Sequence, residues 1–195
     1  MNFSRAQTYI IRRLETELSP LLSYHGPHHT RDVCHAVREI AAGEGVSGKD
    51  LMLLETAALY HDAGFLITYQ DHEKAGCKIV REQLCQFGYS DHDIEQICGM
   101  IMATKIPQSP KTHLEEIICD ADLYYLGTQD FYPIGSTLYQ EFKAYGIIND
   151  ELEWNQLQLK FLSAHRYFTK TARKHRNKRK VRHLEEVKEL VESAA

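Results

Sequence analysis

The 195-residue chain has no C-x-x-C pair, and its cysteines are odd in number: Cys34, Cys77, Cys85, Cys98 and Cys119. That excludes a zinc ribbon and a disulfide framework. Set within apolar helical patterns, they read as reduced thiols of a cytosolic protein. No apolar run approaches the roughly 20 residues that a membrane span needs. Arg5, Arg12, Arg13, Glu15 and Glu17 interrupt the first eighteen residues, so these lack the apolar region of a signal peptide. A cytoplasmic protein without a membrane segment is expected. There is no run of period-2 alternation, which argues against a sheet. No internal repeat is present, and no linker rich in Pro, Gly or Ser, so residues 1–195 are read as one domain. Acid is absent from 164–183, which holds nine Lys or Arg. Aromatics are absent from that segment after Phe168, so stacking on single-stranded nucleic acid lacks its platform and nucleic acid is not expected as a partner.

What is present is helical. Hydrophobic content of 43% and charged content of 26% are those of an ordinary globular protein. Tyr9, Ile10, Leu14 and Leu18 share one side of a segment at about 4–18, which Pro20 stops. Val33, Val37 and Ile40 stripe a second at about 29–42. Ser47, with Asp50 three residues on, caps a third that runs to His61-Asp62. Further segments are expected from Asp71 to Phe87, from Ser90 with Asp93 to Thr104, from Thr112-x-x-Glu115 to Leu126, over 128–145, and from Asp150 onward, with a break at Ser163–Phe168 before a last basic helix. Short loops between helices imply an all-α bundle. Gly43-Glu44-Gly45-Val46-Ser47-Gly48 matches G-x-G-x-x-G, but it follows a helix and no parallel strand precedes it. It is read as a helix–helix loop.

Ala57-Ala58-Leu59-Tyr60-His61-Asp62-Ala63-Gly64-Phe65 carries a His and an Asp into buried territory, where an unpaired charge is costly. A metal ion satisfies both. Candidate partners are His28-His29-Thr30, which opens the second helix, and Asp120-Ala121-Asp122-Leu123, an acidic pair inside an apolar stripe. Such a mixed N/O set suits Mn, Fe, Zn, Co, Ni or Mg. The other histidines, including His25, His28, His92, His113 and His183, are expected at the surface, with His28, beside His29, the one exception to weigh. A basic terminal segment on a body whose residues 1–163 carry net charge −10 suggests an anionic partner.

The ordered set His29, His61-Asp62, Asp122 resembles the H…HD…D signature of the HD-domain superfamily of metal-dependent phosphohydrolases. Tyr24-His25-x-x-x-His29-Thr30-x-x-Val33, Ala57 to Gly64, and Asp120-Ala121-Asp122-Leu123 to Gly127 resemble its motifs in order. His72-Glu73 and Ile101-x-Ala103-Thr104-Lys105 resemble a small bacterial branch known only as predicted HD phosphohydrolases. The likeness covers about 20–130 and continues more loosely through Trp154 to Arg176. It implies an HD helical bundle with an added C-terminal basic helix over about 150–195. It also implies that His29, His61, Asp62 and Asp122 ligate a divalent metal.

Of these, Asp62 would touch the attacking water. His72 sits where a first additional histidine would fall, but Ala103-Thr104 occupies the place of the next. One metal is therefore expected, and a second only with help from His72 and substrate. The resemblance implies hydrolysis of a phosphate ester of a nucleotide or similar small molecule. Lys105 or Arg173 and Arg176 would offset phosphoryl charge, Glu73 would contact substrate, and His72 would protonate the leaving oxygen. Whether the ester is a mono- or diester stays open, and a homodimer is compatible with the reading. Two rivals remain. A non-catalytic nucleotide-sensing module is disfavoured by the intact ligand set, and a di-iron oxygenase by the missing histidines.

Overall fold

A computed structural model describes residues 1–194. Among them are nine α-helices, three short 3-10 turns and no β-strand, as the missing period-2 pattern implies. No helix among them is long and apolar enough to cross a membrane. The chain divides into two compact units, residues 1–19 with 25–122, and residues 20–24 with 123–195.

The first unit is built on α3 (Gly48–Tyr60). Leu53, Leu54, Ala57, Ala58, Leu59 and Tyr60 are all at most 2% exposed, so the C-terminal half of this helix is buried on nearly every side. Packed against it are α1 (Phe3–Glu17), α2 (Pro27–Gly43), α5 (Asp91–Thr104) and α6 (His113–Asp122). The Tyr60 hydroxyl donates to the Ala6 carbonyl at 3.2 Å, tying α1 to the end of α3. Between them, α4 (His72–Gln83) packs on α5 and on the 3-10 turn Ala63–Leu66.

The expected capping boxes form at Ser90 with Asp93 and at Thr112 with Glu115. At Ser47 the side chain makes no cap. The chain enters α3 through Gly48 at φ +61°, a left-handed step that takes the Ser47 hydroxyl off the first amides. The Asp71–Phe87 segment ends earlier as an α-helix than its pattern suggests, tightening into a 3-10 turn at Leu84–Phe87 before Gly88 at φ +78°.

Approach of α4 to the HD turn is a backbone contact. A Cβ on Gly64 would overlap the His72 carbonyl and lie 2.7 Å from the Gly76 nitrogen. Only glycine allows the chain to follow His61-Asp62 at this distance.

The second unit holds a 3-10 turn (Tyr124–Gly127), α7 (Phe131–Ala144), α8 (Glu151–Ala164) and α9 (Lys170–Ser193). Its core is Leu123, Leu126, Phe131, Leu162 and Val187. His183, expected at the surface, is buried here. It stacks on Phe131 at 4.4 Å, and its Nδ1–H donates to the Leu126 carbonyl at 2.9 Å. The break between the last two helices is real, at 165–169.

Lys180 is 2% exposed and donates to the carbonyl of His165, the residue capping the C-terminus of α8, at 2.6 Å. A cation at a helix C-terminus opposes the dipole there. Burial, reinforced by the charge of Arg166, lowers the Lys180 pKa from 10.5 to about 8. Between about 8 and 10.5 the unfolded chain therefore holds a proton that the folded chain has lost, so stability rises with pH across that window. Denaturant titrations at stepped pH should show this rise in the wild type and not in Lys180→Met.

Candidate metal centre

Four ring and carboxylate groups of the first unit converge. His61 caps the C-terminus of α3 and Asp62 follows it, while Asp122 is the last residue of α6. The carbonyl ends of both helices thus carry partial negative charge toward this region, which favours a cation. His29 comes from the first turn of α2, whose entry is set by Pro27.

The distances are short and of one kind. His29 Nε2 lies 3.1 Å from Asp122 Oδ1, 3.3 Å from His61 Nε2 and 3.6 Å from Asp62 Oδ2. His61 Nε2 lies 3.1 Å from Asp62 Oδ2 and 3.5 Å from Asp122 Oδ1. His61, His29 and Asp62 are 1, 5 and 6% exposed. At its other ring nitrogen, His61 donates Nδ1–H to the Ala58 carbonyl at 2.8 Å. That fixes the tautomer in which Nε2 carries a lone pair. In the neutral ring that lone pair faces the Asp62 and Asp122 carboxylates, and Asp62 Oδ2 is buried with no hydrogen bond. A proton on an imidazole or a metal ion satisfies the arrangement.

The protonation tendencies agree. Burial opposes charge on His61, but the Asp62 and Asp122 carboxylates together raise its pKa well above the usual value. Burial likewise opposes charge on both carboxylates. The charge of His61 nevertheless holds Asp62 far below its usual range, and hydrogen bonds from His29 and His61 do the same for Asp122. A group of His29, His61 and Asp122 can hold a metal ion, and Asp62 supplies a fourth oxygen beside it. Two imidazole nitrogens with carboxylate oxygens suit several divalent ions without choosing between them.

Asp62 also faces the other way. His72 Nε2 lies 3.6 Å from Asp62 Oδ1 and 3.6 Å from Glu73 Oε1. The 3.3 Å contact from His72 Nδ1 to the Tyr69 carbonyl orients the ring. Lys105 is paired with Asp71, the residue just before His72, and so reaches the mouth of α4 and not the cluster itself. Asp71 enters α4 at φ 53°, a left-handed conformation that Asp tolerates better than most residues. Arg173 and Arg176 belong to the second unit. Arg173 is exposed, and the Arg176 guanidinium lies 4.1 Å from the Tyr124 ring centre. The Arg176 backbone abuts Gly127 so closely that a Cβ there would overlap it.

His25, expected at the surface, is half-buried at the site. It stacks on Phe65 at 4.4 Å, and His72 stacks on Phe65 at 3.9 Å. Phe65 is thus a shelf for two imidazoles. The available signal was the spacing His25-x-x-x-His29, whose first member precedes the helix and so has no helical face to read.

A family model for the HD domain matches residues 28–125. No curated protein matches the chain. Three solved structures share its fold at 20% identity. A predicted HD superfamily hydrolase from an uncultured Thermotogales bacterium aligns with TM-score 0.63 over 98% of this chain and 92% of its own. Bacillus subtilis YpgQ in complex with ADP aligns at 0.67 over 99% and 97%, and a Lactobacillus plantarum protein at 0.68 over 97% and 94%.

Proposed function

The chain belongs to the HD-domain family, and on that premise we propose that it is a metal-dependent hydrolase of phosphate esters in nucleotides or similar small molecules. The observation that carries the proposal is the convergence of His29, His61 and Asp122, whose ligand atoms lie within 4.8 Å of one another, with Asp62 Oδ2 3.6 Å from His29 Nε2 and 3.1 Å from His61 Nε2. A divalent ion held by these four would supply Lewis acidity, activating water and drawing charge from a phosphoryl oxygen. The ADP bound to YpgQ supports a nucleotide-like substrate.

The chain's own residues divide the remaining work. Asp62 turns Oδ2 toward the two histidines and Oδ1 toward His72, so it can accept a proton from a water poised between them. His72, oriented by Tyr69 and stacked on Phe65, is placed to deliver a proton to the leaving oxygen. Glu73, 6% exposed, holds the His72 ring from the far side. Lys105 exchanges Asp71 for a substrate phosphoryl oxygen.

Protein purified without chelator should contain a divalent metal and turn over a phosphomonoester or cyclic nucleotide when Mn is supplied. Binding of the same nucleotides without turnover would favour the sensing module instead. His72→Gln should retain metal while its turnover falls by about 10²–10⁴, the usual contribution of a general acid or base. Equal loss of metal would make His72 a ligand.

A further inference from the structure

A concavity lies on the reverse of the helices that carry the histidines. It occupies about 400 Å³ between α1 and α2, within the size range of small-molecule sites. Its floor is apolar, made by Ile11, Cys34 and Leu59, and its rim carries Arg12, Arg31, His35 and Arg38 against one acid, Glu15. An α-helix turns about 100° per residue, so Arg31 sits roughly 200° around α2 from His29, and Leu59 is as far around α3 from His61. The groove is therefore no extension of the metal centre.

Its charge is the reverse of its surroundings. Residues 1–163 hold thirteen Lys or Arg against 23 Asp or Glu, yet three arginines gather on this rim. Arg31 pairs with Glu15 and Arg38 with Glu55. Arg12 and His35 make no ion pair among the described residues and are exposed. Burial pushes the Cys34 thiol up to about 12, so the floor stays uncharged. An apolar floor under a cationic rim matches neither a bare inorganic ion, which leaves the floor unused, nor a neutral hydrocarbon, which leaves the rim unused.

We propose that this groove binds a small organic anion, a flat or aliphatic body carrying a phosphate or sulfonate, at a site separate from the metal centre. The probe is 1-anilinonaphthalene-8-sulfonate titrated into the full chain, with fluorescence as readout. Saturable binding is expected. Arg12→Glu combined with His35→Glu, both exposed and outside any ion pair, should weaken it at least tenfold, and Arg12→Lys with His35→Arg should restore it. Asp122→Asn should leave it within twofold. AMP should displace the probe from Asp122→Asn at concentrations where inorganic phosphate does not. Undiminished affinity in the charge-reversed variant, or loss in Asp122→Asn instead, overturns the site. Equal displacement by inorganic phosphate overturns the amphipathic ligand class.

Discussion

Asp122→Ala and His61→Ala should each lose bound metal and lower phosphate-ester turnover by about 10³-fold or more. The magnitude follows from the geometry. Outer partners of metal ligands already cost about 10–100-fold in affinity or activity when removed, and these two side chains lie in the cluster itself, 3.5 Å apart. Metal content by atomic emission and turnover of the same preparations check the expectation. Stability supplies a second readout. Saturating the wild type at a hundred times the dissociation constant adds about 2.7 kcal/mol, or roughly 5–10 °C in a chain of this length. Neither variant should gain it. Normal turnover in a variant without metal would sink the proposed function, whatever became of the groove behind α2.

Gly64→Ala should cost at least about 3 kcal/mol, since the atoms that would have to move are backbone and cannot swing aside. Thermal unfolding should fall by roughly 6–12 °C. Gly45→Ala is the control. Gly45 has φ +74° and nothing within 4 Å of an added Cβ, so only the left-handed conformation is penalised, by about 1–2 kcal/mol. Similar losses in the two would mean that α4 does not need its close approach to the HD turn.

These two positions also mark what the sequence could convey. His61-Asp62 and Asp122 are legible because each breaks an apolar helical run, where a buried charge needs a reason, and His29 because it opens a helix ahead of them in the motif order. The all-α architecture is legible for the same periodicity. His25 and Phe65 are not, because both lie off the regular helices, where a side chain's direction depends on tertiary packing. The distance between Gly64 and His72 is equally hidden: a glycine after a helix reads as a stop, and only the fold reveals it as a clearance. Lys180 disappears in a run of bases whose shared charge masks the one member that turns inward, and Ser47 misleads because Gly48 changes the backbone beneath it.

His29 and Asp122 touch across 93 residues of chain, an interval that contains every helix from α3 to α6. His61, by contrast, is oriented by a carbonyl only three residues away. One side chain is thus set by its own helical turn, while the contact between the other two closes a long loop at an entropic cost that grows only logarithmically with length. A cation bound among them would act as a clip across most of the first unit, holding together segments far apart in sequence only while the chain is folded.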